Sequence, residues 1–102
     1  MSYYNILPQA EIDLDECAEY IATDNLDAAL RLYDCASETY KILADNPKMG
    51  KKYLSQNSLL SHVRFFPISK FKHYLAFYRP TDNGIEIIRV LRTSRDIRNI
   101  LL

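Results

Sequence analysis

The sequence predicts an α+β domain: an N-terminal strand, then a two-helix hairpin packed on one face of a mainly antiparallel sheet, in the order β-α-α-β-β-β. Three observations carry that prediction. Residues 8–46 hold two stretches of helically spaced apolar residues, separated by Asp24-Asn25. Residues 62–92, HVRFFPISKFKHYLAFYRPTDNGIEIIRVLR, hold three β-branched or aromatic runs joined by short turns. An apolar content of 48% and a charged content of 25% over 102 residues suit one globular domain, residues 1–102, rather than a disordered chain.

The elements follow in order. Tyr3-Leu7 reads as a strand ending at Pro8, a residue suited to the first turn of a helix. Leu7 offers that helix no side-chain cap. From Pro8 to about Thr23, the residues Ala10, Leu14, Cys17, Ala18 and Ile21 draw one apolar stripe, with Glu11, Asp15, Glu16 and Glu19 on a solvated face. Asp24 or Asn25 caps the second helix, which runs from Leu26 to about Asn46. Its expected buried stripe is Leu26, Ala29, Leu30, Tyr33, Ala36, Tyr40 and Leu43. Pro47 stops it, because a residue preceding proline avoids the α region.

Pro47–Ser61 has no clear period and reads as a long loop with three lysines. The strands then fall at Val63-Phe66, Tyr74-Tyr78 and Ile85-Leu91. Leu75 and Phe77 are expected on the face under the helices. The last strand is apolar at too many positions for one-sided burial, so it is expected to be central. Thr81-Asp82-Asn83-Gly84 predicts a tight hairpin using positive φ angles. Thr93–Leu102 is amphipathic and predicts a short helix whose Ile97, Ile100, Leu101 and Leu102 need cover.

The zero net charge hides a division. Residues 1–46 carry ten acidic against two basic side chains, and residues 47–102 carry eleven basic against three acidic. The halves therefore stand at −8 and +8. The second attracts nucleic acid or an acidic protein segment. Cys17 and Cys35 lack metal-ligand spacing and read as free thiols; no metal and no cofactor are expected. There is no run of about 18 apolar residues and no secretion signal at the start, so no membrane span and a cytoplasmic location are expected.

Several segments together resemble the RelE/ParE superfamily of type II toxin-antitoxin toxins. They are PQAEIDLDECAEYIATDN, the Asn-Pro-x-Met-Gly stop at residues 46–50, Phe77-Tyr78-Arg79, and Ile-Glu-Ile-Ile-Arg-Val-Leu at residues 85–91 leading to Arg95-Asp96. The chain looks most like the ParE branch. The resemblance implies a toxin that forms a hetero-oligomer with a cognate antitoxin, whose C-terminal segment wraps it. It also implies one of two targets. ParE-like members trap DNA gyrase; RelE-like members cut mRNA in the ribosome.

Cleaving RNA without a metal needs cations for the phosphate and a group that shuttles protons. Cations abound, but Thr93–Leu102 contains neither Tyr nor His, and Leu91 is followed by Arg92 where many ParE-like chains have His. Arginine does not release a proton near neutral pH. The remaining shuttles are His62, His73 and Glu86. The reading preferred from the sequence is a non-enzymatic gyrase inhibitor with no catalytic residues. Arg92, Arg95 and Arg98 lead its target-binding set, followed by Arg79, Lys70 and Lys72. The alternative is a ribosome-dependent endoribonuclease built on Arg64, His73, Arg79 and Arg95.

Overall fold

The computed structural model describes residues 3–101; the sequence-based expectation for Leu102 lies outside them. The elements are β1 (Tyr3–Ile6), α1 (Pro8–Ala22), α2 (Leu26–Asp45), β2 (Lys51–Lys52), β3 (Arg64–Ile68), β4 (Phe71–Thr81), β5 (Gly84–Arg92) and α3 (Ile97–Leu101). The sheet order is β1-β5-β4-β3-β2. β1 runs parallel to β5, and the other pairs are antiparallel. β5 is therefore central, as its apolar run predicts. β2 lies inside the stretch expected to be loop, and a 3-10 turn at Ser58–Leu60 follows it. A two-residue strand is too short to show a period.

Local chemistry sets the helix ends. Pro8 opens α1 with no side-chain cap from Leu7, and Asn25 caps α2 by accepting from the Ala28 N–H at 3.0 Å. Both helices cover the same face of the sheet. Ala10, Cys17 and Ala18 of α1 and Ala29, Leu32, Cys35, Ala36, Tyr40 and Leu43 of α2 pack on Ala76, Tyr78, Ile85, Ile87 and Val90. The α2 stripe is rotated from the one expected. Leu26 and Leu30 are 64% and 61% exposed, and Leu32, Cys35 and Thr39 take the inner line instead. Two apolar lines run along this helix, and the one through Ala29, Leu32, Ala36, Tyr40 and Leu43 turns inward. Both cysteines are buried and free.

The β4 faces are the reverse of those expected. Tyr74, Ala76 and Tyr78 face the helices, while Leu75 and Phe77 join Val63, Leu91 and Leu101 in a second core on the opposite face. Burial on both faces removes the contrast that would tell them apart. Ala76 allows close helix approach, and the Tyr78 hydroxyl has work to do on the helix side. α3 and the chain around Tyr53 and Leu60 cover the second core, so the amphipathic tail does pack.

Alternation along β5 breaks once. Phe77 pairs with Arg89 but Tyr78 pairs with Ile87, leaving Ile88 as an extra residue. Ile87 and Val90, three apart, thereby both face the helices. The Asp82-Asn83 hairpin forms without positive φ, and among the described residues only Lys70, in the β3–β4 turn, has one, at 67°. Gly84 is needed for a different reason: a Cβ there would overlap the Tyr3 backbone, so β1 could not dock beside it.

Candidate functional site

The sheet distributes the basic side chains between two ends of β4. At one end lie Lys70 in the β3–β4 turn, Lys72 early in β4, and Arg92 at the close of β5, paired in register with Tyr74. The Thr93 N–H donates to the His73 carbonyl at 2.8 Å, holding the segment with Arg95 alongside the start of β4. Arg98 follows on α3. Lys70, Lys72, Arg95 and Arg98 are exposed. Five of the six predicted target-binding residues thus share this end.

Arg92 is the most constrained of the five. Its guanidinium carbon lies 3.8 Å from the centre of the Tyr20 ring on α1, a cation–π contact. A cavity of about 180 Å³ beside it is lined by Asp13, Glu16, Cys17, Tyr20, Arg92 and Arg95 among others. Acidic α1 thus meets the basic end of β5. Burial, with a contribution from the Asp13 charge, pushes the Cys17 thiol up to about 11, which keeps it protonated and unreactive.

Arg79 lies at the other end, seven residues along β4 from Lys72, or roughly 23 Å at a strand rise of ~3.3 Å. There it bonds Glu86, its cross-strand partner, with Nε donating to Oε1 at 2.7 Å. The sixth target-binding candidate and one of the predicted proton shuttles therefore occupy each other. Arg64 is at this end too, opposite Tyr78. His73 lies five residues from Tyr78 along β4, roughly 16 Å by the same rise. Of the alternative nuclease set, Arg64 and Arg79 sit at one end of the strand and His73 and Arg95 at the other.

Two arrangements were not anticipated from sequence. Asp13 is buried on the helix face of the sheet. It accepts from Arg89 Nε at 2.7 Å, Arg89 Nη2 at 3.1 Å, Gln9 Nε2 at 3.1 Å and the Val90 N–H at 3.1 Å. These bonds push the Arg89 guanidinium further up and remove Arg89 from the free cations. The signal was present: Asp13 interrupts an apolar helix stripe and Arg89 interrupts an apolar strand, with opposite charges.

The second arrangement fixes the chain after α2. The buried Tyr78 hydroxyl donates to the Pro47 carbonyl at 2.9 Å and accepts from the Gly50 N–H at 2.8 Å. A Cβ on Gly50 would stand 2.5 Å from that hydroxyl, which explains the glycine closing Asn-Pro-x-Met-Gly. Arg64 Nη1 donates to the Lys48 and Gly50 carbonyls at 3.2 and 2.8 Å.

Comparison with known proteins agrees with this architecture. One solved structure, described as the chromosomal ParDE TA system from P. aeruginosa, matches with a TM-score of 0.69 at 23% identity, over 90% of this chain and 96% of that one. At that identity the likeness establishes the fold. No curated protein sequence matches the chain. The sequence model of the ParE toxin of type II toxin-antitoxin systems, parDE, matches residues 4–97. That match spans β1 to the start of α3, so the chain belongs to the ParE toxin family of type II toxin-antitoxin systems.

Proposed function

We propose that this toxin inhibits DNA gyrase by binding it, without cleaving a bond, and that a cognate antitoxin neutralises it. The observation that carries the reading is the division of cations along β4. Lys70, Lys72, Arg92, Arg95 and Arg98 gather at one end, suited to a shared docking surface. The alternative nuclease set divides, with Arg64 and Arg79 at one end of β4 and His73 and Arg95 at the other, so His73 is too far from Arg64 and Arg79 to act with them on one phosphate. Arg79, tied to Glu86, is a weaker member of the binding set.

The antitoxin reading rests on family and on charge. An acidic C-terminal segment of the partner suits the basic strands, and its apolar side chains suit the exposed Leu26 and Leu30 beside the helical hairpin. Purified toxin added to a gyrase supercoiling reaction and to a translating ribosome extract separates the targets. Loss of supercoiling with intact mRNA is the expected result. Codon-dependent mRNA cuts, abolished by His73→Ala, would replace this reading with the nuclease.

A further inference from the structure

A second basic feature lies apart from the docking end described above. Lys48, Lys52, Ser61, His62, Arg64 and Pro80 line a cleft of about 480 Å³. Four separate stretches of chain build it: the turn after α2, strand β2, the approach to β3 with its first residue, and the far end of β4. None of its lining side chains is acidic. In a chain of zero net charge this is a marked concentration, and it contrasts with Arg79 and Arg89, which are ion-paired to Glu86 and Asp13.

The cleft is also held in shape. Arg64 Nη1 is anchored by the carbonyls of Lys48 and Gly50, which orient the guanidinium without neutralising it. Tyr78 fixes the same turn from beneath through Pro47 and Gly50. Part of the cost of ordering a site is therefore met before any ligand arrives.

We propose that this cleft binds a phosphate group, carried either on a nucleic-acid backbone or on a free nucleotide. A guanidinium, two ammonium groups, an imidazole and a hydroxyl form a donor set for a multiply charged oxyanion. A single carboxylate would leave most of that charge uncompensated, whereas a phosphate dianion or a run of phosphodiesters would not.

The test is titration of the full chain with pyrophosphate, ATP and a short DNA duplex, followed by amide NMR. Gly50, Lys52 and His62 are expected to shift saturably. Lys48→Ala plus Lys52→Ala should weaken binding about tenfold or more, and Lys70→Ala plus Lys72→Ala less than about twofold. Arg64 is left intact because it holds the turn. Duplex binding that pyrophosphate displaces assigns the phosphate to nucleic acid; binding of pyrophosphate and ATP alone assigns it to a nucleotide. The proposal is overturned by no saturable shift with any of the three, by equal weakening in both double variants, or by a hexaglutamate peptide binding at the same amides as tightly as pyrophosphate. No gyrase is involved, so this outcome is independent of the target proposed above.

Discussion

Asp13 and Arg89, 76 positions apart, form a two-point ion pair that fastens α1 to β5, with Nε on Oδ2 at 2.7 Å and Nη2 on Oδ1 at 3.1 Å. Asp13 is only 3% exposed, and it also takes the Val90 N–H. The local break in strand pairing at Ile88 puts Arg89 and Val90 within reach of one carboxylate. A buried pair like this contributes little over a well-packed apolar pair, but breaking one side strands the other charge.

Asp13→Ala is therefore expected to cost about 3–5 kcal/mol in urea unfolding. Asp13→Leu with Arg89→Met should recover most of that loss. A loss below about 1 kcal/mol for Asp13→Ala would show that the pair does not fasten the helix.

Tyr40 makes the opposite case. It is 2% exposed, its ring meets that of Tyr4 in a tilted contact at 5.6 Å between centres, and its hydroxyl has no hydrogen-bond partner among the described residues. Burial pushes its ionisation upward. Removing an unsatisfied hydroxyl while keeping the ring is expected to stabilise, so Tyr40→Phe should gain about 1 kcal/mol in the same unfolding measurement. A loss of that size would mean that the hydroxyl is bonded in solution.

Cys17 links stability to alkaline pH. Its folded value is near 11, against 9.0 for an unperturbed thiol, chiefly because of burial. A raised value means that the contribution is complete below the unfolded value and is lost as pH rises through the folded one. From about pH 9 to about 11, the thiol should cost the folded state roughly 2–3 kcal/mol relative to Cys17→Ala. Urea midpoints of both proteins at about pH 8 and about pH 10.5 check this. A constant difference between them would contradict it.

How far the sequence revealed all this depends on the element. Proline, asparagine and the two apolar periods placed α1 and α2 within a residue or so of their ends. The sequence pattern points Leu75 and Phe77 toward the helices, whereas they face the second core, because both faces of β4 are covered and a two-residue period carries no sign. Gly84 looked like a turn residue, but the approach of β1 makes it necessary, and that depends on a parallel pairing with a strand some eighty residues earlier. The basic residues Lys70, Lys72, Arg92, Arg95 and Arg98 are readable in the sequence as a list. Their gathering at one end of β4 is not, since it follows from strand register. The cleft at Lys48, Lys52 and Arg64 was hidden for a similar reason, because β2 is only two residues long.

The central claim is that the basic end of the sheet docks on gyrase. Arg95 and Arg98 are exposed on the segment after β5, so replacing both should leave the fold intact. In a gyrase supercoiling titration, the unmodified toxin should block the reaction, and Arg95→Ala plus Arg98→Ala should need about tenfold or more protein for the same block. Undiminished inhibition by the double variant would contradict the claim.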